Sequence, residues 1–200
     1  MVIGITGCPG SGKSALAAVL EEQGWALVDA DEIGREVVEN DASVLDSLAN
    51  AFGSDIIDSA GKLNRRLVAA RAFSTPENNK TLNNIVHPTL INSLKSRVRE
   101  LRAEKVNAVV DCALIFEWGI ENLFDTIVCV QADERLRKER LMKRDGRTPS
   151  DIENLFSAQL PESEKVKRSD IVFTNDFLPE KIREFGLKLS GLPEEKNQDS

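Results

Sequence analysis

The chain opens with Val2-Ile3-Gly4-Ile5-Thr6-Gly7-Cys8-Pro9-Gly10-Ser11-Gly12-Lys13-Ser14, and the reading of this stretch decides the fold. Residues 2–6 form a short apolar run rich in Ile and Val, the pattern of a buried parallel strand. Residues 7–14 fit GxxxxGKS/T, and residues 13–23, closed by Gly24, have the periodicity of a helix. A strand, a glycine-rich turn and a helix in that order make a phosphate-binding loop. The glycines let backbone N–H groups turn inward on an anion, and the following helix adds the positive end of its dipole. Gly7, Gly10, Ser11, Gly12, Lys13, Ser14 and Ala15 are therefore candidate ATP-binding residues. Lys13 is expected to reach the β- and γ-phosphates, and Ser14 to ligate Mg²⁺. A glycine turn kept for packing alone would not need Lys and Ser in register.

Working outward, four more apolar runs too short for helices lie at residues 25–29, 106–112, 126–130 and 170–174. They alternate with helical patterns, residues 133–143 being the clearest after the first. The expected fold is α/β, a P-loop NTPase with a five-stranded parallel core sheet and right-handed crossovers. Residues 1–30, 106–134 and 169–190 are assigned to that core. Residues 31–105 contain no core strand; helical patterns at 43–52, 65–73 and 78–105, with a turn at Asp58-Ser59-Ala60-Gly61, make them a helical insertion. Pro88 should bend or restart the last of these helices. Residues 135–168 are read as a helical lid, and the polar residues 191–200 as a tail that frays.

With 41% hydrophobic and 30% charged residues in 200, the chain can bury one sizeable core. A formal net charge of −7 excludes a general nucleic-acid surface, so the expected partner is a small molecule. No run approaches the ~20 apolar residues of a membrane span, and the N-terminus lacks the features of a signal peptide, so a cytoplasmic protein is expected. No protein partner is implied. Cys8, Cys112 and Cys129 have no CxxC spacing and suggest neither a zinc site nor a disulfide framework. Cys112 and Cys129 read as buried strand residues. Cys8 lies beside the anion nest and a helix N-terminus, which would favour a reactive thiolate, although an inert loop thiol fits equally well.

Further candidates follow from position. Asp111 ends the third apolar run and resembles a Walker B carboxylate completing the Mg²⁺ shell, or else caps the next segment. Asp29 and Asp31 stand at the carboxyl end of the second strand, the edge where open parallel sheets bind ligands. One carboxylate there could orient an acceptor hydroxyl and take its proton, and the other could cap a helix. Between residues 135 and 147 lie seven Arg and Lys side chains in an acidic protein. Half of them read as a solvated helix face with i, i+4 pairs; Arg140 and Arg144, leading into Asp145-Gly146, suit neutralisation of charge on a transferring phosphoryl group. The single histidine, His87, reads as structural or as a donor of a charged hydrogen bond to a phosphate.

The segments DADEIGREVV (29–38), FG (52–53), GKLNRRLVAARAF (61–73), LNNIVHP (82–88), VVDCALIFEWG (109–119), RLMKRDGRT (140–148), SAQLPESEK (157–165) and DIVFTN (170–175) together resemble the dephospho-CoA kinase family, from residue 1 to about 190. The resemblance implies a nucleoside-kinase-like core and ATP-dependent phosphorylation of the ribose 3′-hydroxyl of dephospho-CoA, the last step of coenzyme A biosynthesis. It carries the acceptor-side Asp onto Asp31 and assigns Arg35, Arg65, His87 and Glu117 to the substrate, Arg140 and Arg144 to the lid, and Asn175 to the adenine side. Some positions depart from the family pattern: Cys8-Pro9, Ala15 and Ala113 replace more usual residues without removing a charge, and Leu155 replaces a lid Arg. The rival readings are a nucleoside or nucleoside-monophosphate kinase with the same core, and a nucleotide-dependent switch without phosphotransfer.

Overall fold

The computed structural model describes residues 1–59 and 61–191. The tail expected to fray lies, beyond Gly191, outside the described residues. Five strands form one parallel sheet: β1 (Val2–Thr6), β2 (Ala26–Asp29), β3 (Ala108–Asp111), β4 (Thr126–Gln131) and β5 (Ile171–Thr174), in the order β2-β3-β1-β4-β5. All five fall on the apolar runs of the sequence. Parallel strands buried on both faces favour unbroken β-branched sequence, and all five residues of β1 are buried. β1 is central, so the loop that follows it opens between the carboxyl ends of β3 and β4, with Ile5 in register with Asp111 and Thr6 with Cys129.

The chain divides into two compact units, one of residues 1–29 with the chain from Arg97 onward, the other Ala30–Ser96. In the first, α1 (Lys13–Glu22) and α9 (Pro179–Ser190) join the sheet in a core that includes Ile3, Ile5, Leu16, Leu20, Val109, Val128, Val130, Phe173 and Leu189. The basic interval contains three helices, α6 (Glu134–Asp145), α7 (Pro149–Ser157) and α8 (Glu162–Arg168). Asp133 caps α6, and Thr148 with Asp151 forms a capping box on α7. Two of the expected i, i+4 pairs are present, Lys138 with Glu134 at 2.9 Å and Arg135 with Glu139 at 3.6 Å.

The second unit contains α2 (Ala30–Asn40), α3 (Ala42–Phe52), α4 (Arg65–Ala72) and the larger part of α5 (Pro76–Ala103). Arg71 joins α4 to the end of α3: its guanidinium meets both oxygens of Asp55 at 2.6 Å and donates to Phe52 O at 2.5 Å. The expected turn is held by Gly61 N–H to Asp58 O (2.9 Å) and Lys62 N–H to the Asp58 carboxylate (2.8 Å), beneath an Ile57–Leu63 bridge. Of the two outcomes expected at Pro88, a bend or a restart, the restart does not occur: α5 runs through Pro88 as one 28-residue helix. Pro88 and Asn84 both lie on the exposed side, where the carbonyl that proline leaves without its helical donor reaches water. Among the described residues no helix is long and apolar enough to cross a membrane.

Candidate active site

The loop after β1 is built as an anion cradle. Gly12 has φ +100°, and a Cβ there would lie 2.3 Å from the Asn175 amide nitrogen. Gly10, at φ +80°, supports the backbone of α6, with Arg137 O 3.0 Å from the position of a Cβ. Larger residues fit neither place. Gly7 is buried where the loop begins, and Ser11 N–H closes a turn onto Cys8 O (3.2 Å). α1 then starts at Lys13 with no side chain capping it and no acid in its first turn, which leaves its positive end directed at an anion. Ala15 N–H bonds to Gly12 O at 3.1 Å, so Ala15 belongs to the first helical turn. Lys13 Nζ lies over the loop, 3.4 Å from Cys8 O. Ser14 Oγ donates to Asp111 Oδ2 at 2.6 Å. The two residues that sequence reading gave to Mg²⁺, 97 positions apart, thus meet at the foot of the loop, and they offer the hard oxygen donors that Mg²⁺ takes.

Asn175 stands beneath the cradle, 1% exposed. Its amide donates to Ser11 O (2.7 Å), and its Oδ1 accepts from Phe177 N–H (2.8 Å). The side chain read as the adenine contact therefore braces the loop. Phe177 holds a left-handed backbone (φ 64°), unusual for an aromatic residue, and the Arg140 guanidinium stacks 4.1 Å from its ring centre. Burial and the neighbouring Arg144 both press against the Arg140 charge. Arg144 is engaged in a fork with Asp145 at 2.6 and 2.9 Å. The fork holds the Asp145 carboxyl below its ordinary range, but Arg144 is exposed and such pairs exchange readily.

Glu117, read as a substrate residue, lies just beyond β3. Its Oε1 meets Lys165 Nζ at 2.7 Å and accepts Leu160 N–H at 2.9 Å, while its Oε2 is buried and has no hydrogen-bond partner among the described residues. Sequence reading passed over Lys165, which is fully buried, and counted Arg137 with a solvated face. Arg137 is 4% exposed: its Nε donates to Ala132 O (3.0 Å), and its guanidinium lies over the Phe156 ring at 4.7 Å. Its position four residues before the buried Leu141 is the signal that could have found it, since both lie on the inward stripe of α6.

In the second unit, Asp31 and Arg35 occupy successive turns of α2, both exposed, with Asp31 in the acidic first turn that the helix dipole favours. Arg65 opens α4 behind its Asn64 cap, donates to Arg35 O at 3.4 Å and pairs with Glu39 at 2.6 Å. Arg35 and Arg65 are thereby brought together, with Glu39 a partner that sequence reading missed. His87 is half-buried on α5, and burial lowers its imidazole below the ordinary value. Burial favours the neutral ring over the charged donor considered from sequence.

All three cysteines are buried and none is in a disulfide, Cys112 and Cys129 in or beside strands as expected. Burial pushes the Cys129 thiol up to about 12. Burial also raises the Cys8 thiol, outweighing Arg137, Lys165 and Lys13, which act in the opposite direction. Of the two readings open from sequence, this favours the inert loop thiol, because the residue is 7% exposed and the thiolate loses more solvation than the nest returns.

Comparison with known proteins agrees with this arrangement. The family model described as dephospho-CoA kinase matches residues 1–180. A dephospho-CoA kinase of Corynebacterium glutamicum is 37% identical over 175 residues, which cover 87% of this chain and 88% of that protein. One from Anaeromyxobacter dehalogenans is 36% identical over 182 residues, 90% and 86% of the two chains. A Thermus thermophilus crystal structure superposes with a TM-score of 0.76 at 32% identity, covering 96% of this chain and 98% of that one. The Campylobacter jejuni dephospho-CoA kinase, at 21% identity, has the same fold with a TM-score of 0.68 over 94% of each chain. A P-loop with its Asp111 partner in place, and a family match over nine-tenths of the length, lead to one conclusion: the chain belongs to the dephospho-CoA kinase family.

Proposed function

We propose that this enzyme transfers the γ-phosphoryl group of ATP to the ribose 3′-hydroxyl of dephospho-CoA, giving ADP and coenzyme A. The observation that carries the phosphotransfer reading is the 2.6 Å contact between Ser14 Oγ and Asp111 Oδ2 at the foot of the loop. These two residues would hold Mg²⁺, which when bound offsets negative charge on the β- and γ-phosphates. Lys13, at the start of α1, binds the same phosphates as a point charge. Gly12, Lys13 and Ser14 present backbone N–H groups to them, in a loop held in shape by Asn175. Arg140 leaves its stack on Phe177 and Arg144 its surface pair with Asp145 to meet charge developing on the equatorial oxygens.

On the acceptor side, roles follow the motif correspondence. Asp31 orients the 3′-hydroxyl and accepts its proton as the bond to phosphorus forms, while the leaving oxygen remains with ADP. Arg35 and Arg65, already in contact, and His87 bind the anionic groups of the coenzyme. Glu117 accepts a hydrogen bond from the substrate. We read the reaction as cytoplasmic, where ATP is at hand. Measuring ADP release with dephospho-CoA, with nucleosides or their monophosphates, and with no acceptor tests the reading. Release that depends on dephospho-CoA, with coenzyme A as product, is expected. A response only to nucleosides or their monophosphates makes this a nucleoside-type kinase, and binding of ATP without acceptor-dependent turnover makes it a switch.

A further inference from the structure

Lys165, on α8, has no solvent exposure. A buried ammonium needs all three of its N–H groups satisfied, and Lys165 Nζ meets Ala113 O at 2.5 Å, Glu117 Oε1 at 2.7 Å and Gln159 Oε1 at 3.4 Å. Two of these partners bracket the segment that leaves β3. Ala113 lies two residues beyond Asp111, and its carbonyl also accepts from Thr6 Oγ1 (3.1 Å), the residue directly before the phosphate-binding loop. Glu117 lies at the far end of the segment, where Leu160 N–H adds a second donor to the same Oε1. One ammonium thus links the end of β1, the exit of β3 and the connection between α7 and α8.

A purely structural role is a poor account of this pair. Buried ion pairs can often be replaced by apolar residues without loss of stability, so stability alone gives little reason to bury a lysine here. What the pair does provide is orientation. With Oε1 fixed by Lys165 and Leu160, the Glu117 carboxylate cannot rotate freely, and Oε2 is held in one direction, buried and without a partner among the described residues. A buried carboxylate oxygen in that condition calls for a hydrogen donor, from an ordered water or from a ligand that enters the site. We propose that Lys165 is a positioning residue for phosphoryl transfer: it fixes Glu117 so that Oε2 accepts an O–H or N–H donor of the acceptor substrate. The inference rests on the phosphotransfer reading above and adds to it the group that sets the Glu117 geometry.

The test compares Lys165→Met, Glu117→Gln and the double variant by thermal melting and by steady-state kinetics with ATP and dephospho-CoA. Glu117→Gln keeps an oxygen for Lys165 and Leu160 but turns Oε2 into a donor. It should melt near the wild type while kcat/KM for dephospho-CoA falls about 10- to 100-fold, the scale of a misplaced contact, with the KM for ATP changing less than about threefold. Lys165→Met leaves the carboxylate buried without its cation, so both the melting temperature and kcat/KM should fall. The double variant removes both charges: its melting temperature should recover toward wild type, but its kcat/KM should not. Recovery of kcat/KM in the double variant to within about twofold of wild type would make the pair structural only and overturn the proposal. Wild-type kinetics in Glu117→Gln overturn it as well, and this arm stands even if Lys165→Met does not fold. A wild-type enzyme without dephospho-CoA-dependent turnover defeats the functional reading itself, and the inference with it.

Discussion

Asn175 decides how the phosphate-binding loop keeps its shape before a nucleotide arrives. It is buried, and its amide bonds both to Ser11 O and to Phe177 N–H. Asn175→Ala leaves a buried carbonyl and a part-buried N–H without their partner, a loss of about 1–3 kcal/mol. The melting temperature should therefore drop by several degrees, and the KM for ATP should rise because the cradle loosens. An adenine contact alone would raise the KM without moving the melt, so the two measurements together decide. A second residue-scale test separates Asp29, on β2 in register with Asp111, from Asp31, in the first turn of α2. Asp31→Asn keeps size and some hydrogen bonding but removes the base, and turnover should fall by roughly 10²- to 10⁴-fold, with dephospho-CoA affinity little changed. The lower end is expected, since a loose phosphoryl-transfer transition state leaves the hydroxyl proton in place until late. Asp29→Asn should mainly affect stability or metal binding. Near-normal turnover in Asp31→Asn with a large loss in Asp29→Asn reverses the assignment.

At the scale of elements, the loop is only as rigid as the helix it opens, and α1 is backed by α9. Gly186 is the close approach between them: a Cβ there would lie 2.5 Å from Val19 Cγ1 and 2.9 Å from Val19 Cβ. Alanine in mid-helix gains about 1 kcal/mol of propensity over glycine. The stiff, β-branched Val19 cannot turn away, and overpacking of this kind costs about 1–3 kcal/mol. The clash should win, so Gly186→Ala should lower the melting temperature by a few degrees, and adding Val19→Ala should return much of it. A rise in the single variant means that the helices separate without cost. The elements also set what could be read from sequence. β1, β3 and β4 were legible because parallel strands buried on both faces carry unbroken apolar runs, the partly exposed edge strands β2 and β5 because their runs are too short for helices, and the loop because its spacing is tied to phosphate geometry. The extent of α2 is not readable in DEIGREVVEN, which has few apolar residues and a glycine in its middle. Lys165, Arg137 and the bracing role of Asn175 escaped because their partners are assembled by the fold; Asn175 and Ser11 are 164 positions apart. A charged residue reads as solvated until its partner is known.

Over the whole molecule, acid should act in two separable steps. Hydrogen-bonding partners lower the folded-state values of several carboxyls, among them Asp55 through Arg71, Asp145 through Arg144, Asp151 through Thr148 and Glu134 through Lys138. A lowered carboxyl stabilises the fold above its ordinary value of 3.8 or 4.5, and that contribution is lost as pH falls through the folded-state value. These groups are nearly all at the surface, so each contributes little alone. His87 acts earlier and in the same direction. Burial lowers its folded-state value below the ordinary 6.5, so as pH falls past 6.5 the unfolded chain takes up a proton that the folded chain resists. Stability should fall from that point until the folded-state value is passed, then level off until the carboxyls begin to titrate. Because His87 is the only histidine, the first step can be removed whole. Denaturant unfolding of the ligand-free enzyme from pH 7.5 downward should show a decline beginning near 6.5 in the wild type and a flat curve there in His87→Gln, with both declining below about 4.5. The imidazole resonances of the wild type should titrate with a midpoint below the ordinary value. Parallel stability curves for the two proteins between pH 6.5 and 5, or a midpoint above the ordinary value, would show that the ring is not held neutral by burial. A midpoint above the ordinary value would further mean that His87 carries more of its charge in the free enzyme, and the charged hydrogen bond to a phosphate would be the better account of its role.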